Sequence, residues 1–257
     1  IELTERRITL MLVIVGSILV VGIAPGSLSG AVSSAELIFY AIVVIWGTRC
    51  AAQSVVEEIS GKTWDAQRLS AIRPWTMVWG KLIGSTMLAW LGGLLCLGVI
   101  LYAAADRKGV EGVITEGVYF LTIGFLSQAV ALLVSIVAVR RRLTHSRFDV
   151  FLYQLFGLAA AIAVWRVWQS ANPESLYRRW TGTIDPFTLG HIEWWGGSFD
   201  TGMFYIVSLV VFFGWTLLAN YRVMRTELQV QNGPAVWLAF LAFMAAYVGG
   251  FDFWRDA

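Results

Sequence analysis

From Leu82 to Ala104 and again from Val118 to Val139 the chain carries no charged side chain for 23 and 22 residues. A run of about 20 apolar residues is the length a helix needs to cross the hydrocarbon core of a bilayer. Five more apolar runs accompany these two: Ile8 to Ile23, Ser34 to Val56, Phe148 to Trp168, Gly202 to Asn220, and a last one that follows Asn232-Gly233-Pro234 and reaches Phe251. With 58% hydrophobic and only 14% charged residues and a mean hydropathy of +0.69, the composition lies far from the soluble average of about a quarter charged. The expected fold is all-α: a polytopic transmembrane helical bundle of six to seven spans, forming a single domain over residues 1–257.

The basic residues orient this bundle. Placing Arg6, Arg7, Arg49, Lys62, Arg68, Arg73, Lys81, Arg140, Arg141, Arg142, Arg147, Arg222 and Arg225 on one side gathers 13 of the 19 Lys and Arg residues there. By the positive-inside rule that side is cytoplasmic. Glu2, Glu5, Arg6 and Arg7 precede the first run without a small-residue cleavage site, and the run is expected to be an anchor rather than a signal peptide. A net charge of +2 gives no reason to expect a nucleic-acid partner, and membrane lipids are the expected surroundings. Cys50 and Cys96 lie in or beside apolar runs without a CxxC or Cys/His cluster, as packed free thiols do.

Few residues are equipped for chemistry. The two histidines, His145 and His191, fall in loops on opposite sides, which argues against an intramembrane haem or zinc site. No HExxH or GxSxG occurs, and Ser127, Ser135 and Ser208 have no histidine partner at membrane depth. No enzyme, cofactor or metal site is expected. Gln128 and Gln154 are the most polar mid-span side chains, able either to line a substrate path or to hydrogen-bond between helices. Arg166 and the tryptophans read as interfacial anchors, and Arg140 to Arg142 as a topogenic stop.

Asp106-Arg107-Lys108 through Glu116 is expected to form a short outer loop. Two other connections are longer than topology requires. The 33-residue stretch 169–201, with Pro173, Pro186, Tyr177, Trp180, Trp194, Trp195 and Phe199, is expected to form short helices in the outer membrane interface. On the other side, Glu57-Glu58-Ile59-Ser60-Gly61-Lys62-Thr63-Trp64-Asp65 leads through Leu69, Ile72 and Arg73-Pro74-Trp75 to Gly80-Lys81. Its spacing predicts a short amphipathic helix over Lys62 to Arg73, with Trp64, Leu69 and Ile72 roughly on one side and Lys62, Asp65 and Arg68 elsewhere. Pro74 sets the boundary before the next helix.

In these residues, Glu57, Glu58, Gly61, Thr63, Asp65, Leu69, Pro74, Gly80 and Lys81, the segment resembles the membrane subunits of type-2 ABC transporters. Lys62, between the glycine and the threonine, and the seventh apolar run depart from that pattern. The resemblance implies six spans, a cytoplasmic coupling helix between spans two and three (coupling region 57–80), and interfacial helices between spans five and six. It implies that Gly61 to Trp75 faces an ATPase, with Glu57 or Glu58 as the hinge-side acid and Trp64, Asp65, Arg68, Leu69, Ile72 and Pro74 in the coupling element. It further implies a separate ATP-binding subunit, a second permease subunit in a homo- or heterodimer, and a bacterial or archaeal cytoplasmic membrane.

No GxxxxGK[ST] phosphate loop is present, so ATP hydrolysis would belong to another chain. The leading expectation is a permease subunit of an ABC exporter that moves a lipid-like, glycan or hydrophobic substrate. The rival is a non-transporting transmembrane scaffold or anchor subunit of a larger membrane complex, using 57–80 as a docking surface.

Overall fold

The computed structural model describes residues 28–69, 72–140, 147–171 and 191–251, together with Gly16. Apart from Gly16, the apolar run Ile8 to Ile23 lies outside the described residues, as do Arg141 and Arg142. Among the described residues four helices are long and apolar enough to cross a membrane: Ser29–Ser60, Pro74–Val139, Asp149–Gln169 and Thr201–Glu227. The first is continuous but not uniform. It runs as α1 (Leu28–Phe39), a π-helical segment (Tyr40–Trp46) and α2 (Gly47–Ser60). A short helix, α3 (Trp64–Leu69), leads to α4 (Pro74–Arg140) and α5 (Arg147–Ala171).

Helix α4 is two arms folded against each other. Gly109, at φ 63° and ψ −148°, holds a backbone conformation essentially confined to glycine. The arms then run antiparallel: Trp90 stacks on Phe125 with ring centroids 4.2 Å apart, and Arg107 pairs with Glu116 at 3.6 Å. The loop expected over Asp106 to Glu116 is therefore a single-residue turn between helices. Arg107, Lys108, Glu111 and Glu116 are good helix formers, and they continue the helix on both sides of Gly109.

The stretch expected to hold interfacial helices contains instead, within its described part, a β-hairpin. Strand β1 (His191–Trp194) pairs antiparallel with β2 (Gly197–Asp200). The turn is made by Trp195 and Gly196 at φ 52° and 73°, the left-handed pair that matches strand twist in a two-residue hairpin. Residues 172–190 lie outside the described residues. Asp200 then caps α6 (Thr201–Glu227), its carboxylate accepting from the Met203 amide at 3.0 Å.

The last apolar run forms α7 (Ala235–Gly249), a helix of 15 residues, about 22 Å long at 1.5 Å per residue and below the length expected of a span. It returns alongside α6 through aromatic contacts, Trp215 against Phe240 at 5.2 Å and Phe212 against Tyr247 at 5.3 Å. The hairpin tip holds its far end: the Trp194 and Trp195 indoles donate to the Tyr247 and Ala246 carbonyls at 3.0 and 3.1 Å, and the Trp195 amide donates to Gly250 at 2.7 Å. The Tyr247 and Gly250 carbonyls thereby gain donors at a helix end, where backbone acceptors lack intrahelical partners, while Ala246 O accepts from the Gly250 amide as well.

Packing divides the interior by level. Near the Gly109 turn, Phe39 meets Phe120 edge-on at 5.1 Å, and Tyr119 stacks on Trp168 at 4.1 Å. At the opposite end Ala51, Val55, Trp64, Met77, Val78, Leu82, Leu132, Ile136 and Met224 form one cluster. Glycines let the helices approach between these levels. A Cβ on Gly124 would lie 2.8 Å from both Trp90 and Val43, whereas Gly84 has nothing within 4 Å. Gly124→Val is thus expected to destabilise the bundle by about 1–3 kcal/mol through overpacking. Gly84→Ala should be neutral or slightly stabilising, and comparison of the two variants by detergent-denaturation midpoints checks both.

Candidate functional site

The connection between α2 and α4 is built around Glu58. Helix α2 ends in two reverse bonds, Lys62 N to Ile59 O at 3.0 Å and Thr63 N to Glu58 O at 2.9 Å, the pattern of a Schellman motif. That motif requires a left-handed residue, normally glycine, and Lys62 occupies it at φ 57°. The strained position explains why the helix expected from Lys62 to Arg73 is shorter, with α3 starting at Trp64. Thr63 stands at its start: the Thr63 carbonyl accepts from the Gln67 amide at 3.1 Å.

Side chains then fasten the connector from three directions. The Glu58 carboxylate accepts from Gln67 Nε2 at 2.9 Å on α3. Its other oxygen forms a salt bridge with Lys81 Nζ on α4. Lys81 in turn lies over the Trp64 ring, 4.9 Å from the centroid, in cation–π geometry. Lys81 is 6% exposed against 25% for the Glu58 side chain, so the lysine depends on this one carboxylate among the described residues. Glu58 therefore ties the end of α2, the short α3 and the start of α4 into one unit.

The sequence-predicted residues separate into an inner and an outer set. Trp64 is buried in the lower core cluster, while Ile72 is 43% exposed. The apolar side expected to carry both is split, because Trp64 serves as an internal anchor. Glu57, Gly61, Thr63 and Arg73 are exposed and Pro74 is half-buried. Pro74 opens α4 at its first turn, where a missing N–H costs nothing. The side chains of Asp65, Arg68 and Leu69 lie outside the described residues. Trp75, also partly exposed, stacks on Tyr221 of α6 at 4.6 Å and 14°, and Arg225 lies over that tyrosine at 5.8 Å.

Gln128 and Gln154 sit elsewhere, beside the π-helical segment. Gln128 is fully buried, donating from Nε2 to Val43 O at 3.0 Å and accepting from Trp90 Nε1 at 3.0 Å. Gln154 donates to Ile45 O at 2.9 Å. Both amides thus reach backbone carbonyls of the π segment. Sequence reasoning missed that Lys81 and Gln67 are the partners of Glu58. No local pattern carries that information, since Lys81 is 23 residues distant. Cys50 and Cys96 are both free thiols, and no group of three or more potential metal ligands occurs among the described residues.

Two outcomes follow from this geometry. Lys62→Gly should stabilise the fold by about 1 kcal/mol by removing the left-handed penalty. A double-mutant cycle of Glu58→Ala and Lys81→Ala, read by thermal unfolding in detergent, should give a coupling of at least about 1 kcal/mol, because either single change leaves a partly buried charge unpaired. Additive effects would show that the pair contributes no cohesion. Compared with protein-family models, with curated proteins and with solved structures, the chain matches none.

Proposed function

We propose that the chain is the multi-pass membrane subunit of an ABC-type transporter, an exporter driven by a separate ATP-binding subunit that docks on the 57–80 connector. The observation that carries the reading is the Glu58 cluster. A segment that receives mechanical work must present an outer face to its partner and be attached firmly to the helices it moves. The connector has both properties. Lys62, Ala66, Ile72 and Arg73 are exposed, while Trp64, Gln67, Glu58 and Lys81 join it to α2 and α4. The four helices long and apolar enough to cross a bilayer are consistent with a permease, and the resemblance of 57–81 to type-2 ABC membrane subunits supplies the identity of the partner.

In this reading the bundle takes six to seven passes, with the 57–81 end in the cytoplasm and the β-hairpin at the opposite surface. A second permease subunit completes the path for a hydrophobic or lipid-like substrate. Displacement of the connector by nucleotide-driven closure shifts the equilibrium between inward- and outward-open arrangements.

Purification from native membranes in a mild detergent tests the docking. An ATP-binding chain should accompany the wild-type protein, and Ile72→Asp should lower its recovery at least 10-fold while membrane insertion stays at the wild-type level. Equal recovery with Ile72→Asp would remove the connector as the docking surface. Recovery of other membrane chains without any ATP-binding chain would favour the scaffold role.

A further inference from the structure

The first long helix changes register in its middle. Tyr40–Trp46 is a π-helical segment of seven residues flanked by α-helix on both sides, and the Gly47 amide reaches back to Ile42 O. Wide turns of this kind occur mainly where a helix has a functional irregularity. Here three successive carbonyls at the segment's C-terminal part receive side-chain donors. Val43 O accepts from Gln128 at 3.0 Å, Ile45 O from Gln154 at 2.9 Å, and the one Thr48 hydroxyl proton is shared between Val44 O at 2.6 Å and Ile45 O at 2.9 Å. The two glutamines come from different helices, α4 and α5. Space for the arrangement is left by glycines: a Cβ on Gly47 would lie 2.5 Å from Gln128 Nε2, and one on Gly93 would collide with Val43.

We propose that Tyr40–Trp46 is a register joint, held in its π form by the Gln128 and Gln154 amides, through which the α2 half of the helix turns relative to the α1 half. Returning one residue from π to α register turns everything beyond it by about 100° and advances it by about 1.5 Å. That rotation withdraws the Val43 and Ile45 carbonyls from the two amides. The glutamines therefore select the π form and position the helix end that carries Glu57 and Glu58. The inference deepens the proposed coupling role of 57–81 and rests on it for its purpose, though the joint itself is a property of this chain alone.

Spin-label distances on the full chain in lipid nanodiscs test it. Labels go at Glu57→Cys and Val230→Cys, both exposed positions, in a chain carrying Cys50→Ser and Cys96→Ala. A turn of about 100° carries a side chain at the helix surface through roughly 8 Å. The otherwise wild-type chain should give one narrow distribution. Gln128→Leu with Gln154→Leu should add or substitute a population displaced by several Å. Gln154→Leu alone and Gly47→Ala, which displaces only the Gln128 amide, should each broaden the distribution in the same direction, and they decide the matter if the double variant does not fold. Unchanged distributions in the variants that fold would overturn the joint and leave the glutamines as plain bridges. No ATP-binding chain is present in this measurement, so such a failure leaves the docking reading intact, and a failed docking experiment leaves the joint intact.

Discussion

The Gln128 side chain is the interaction on which the rest of the bundle depends. It is fully buried, and it joins three strands of the fold at one point: its own arm of α4, the Trp90 indole on the other arm, and the Val43 carbonyl of the first helix. In a water-poor interior each of these groups, left unpaired, costs about 1–3 kcal/mol, so the three segments are held at one level. Gly47 lies against the Gln128 amide and Gly124 against its neighbours Trp90 and Val43, and the two leave the volume that these side chains fill. The aromatic layer of Phe39, Trp90 and Phe125 packs directly around that level. Apolar contact alone would hold these helices together but would not fix their register, because sliding by a turn exchanges one set of aliphatic neighbours for another.

Glu58 does the equivalent work at the end of the bundle. Its two carboxylate oxygens reach two different elements, Gln67 on α3 and Lys81 on α4, and its backbone carbonyl closes the turn after α2. Gln128 fixes the level of long helices deep in the interior, where nothing competes for its bonds. Glu58 fixes a half-exposed corner, where water does compete and the buried lysine supplies the discrimination. An exposed pair would contribute little; burying Lys81 makes the carboxylate necessary.

Composition and apolar runs were sufficient to place the long helices, because length and hydropathy are properties of segments and need no partner. What escaped the sequence depends on partners. Gln128 and Gln154 stand out as polar residues in apolar helices, but their acceptors are carbonyls within a π turn over Tyr40–Trp46, a run of ordinary apolar residues. The Asp106 to Glu116 stretch looked like a loop from its charge density, whereas those residues continue the helices and only Gly109 breaks them. The hairpin at His191–Asp200 alternates apolar Ile192, Trp194 and Phe199 with polar His191, Glu193, Ser198 and Asp200. That alternation is a strand signal, masked by an aromatic content that reads equally as a membrane interface. Trp64 and Ile72 share a face only in an unbroken helix from Lys62 to Arg73, and α3 ends at Leu69.

The two helices leaving the connector differ in stiffness, and that difference follows from their backbones. Helix α4 keeps a helical backbone from Pro74 to Lys108, so displacement of Lys81 carries the whole arm with it. On the other side, α2 continues only from Ser60 back to Gly47 before it meets the π segment. There the hydrogen-bond ladder is already offset, and its carbonyls are shared with side chains of α4 and α5. On the proposed coupling role, a load applied at Glu58 meets a straight helix on one side and the proposed joint on the other. The joint is held by amides on α4 and α5, so any turn of α2 must be accommodated by those helices as well. In the coupling we propose, stiffness on one side and a shared, hydrogen-bonded offset on the other convert a local displacement at 57–81 into a rearrangement among α2, α4 and α5, rather than a rigid tilt of the bundle.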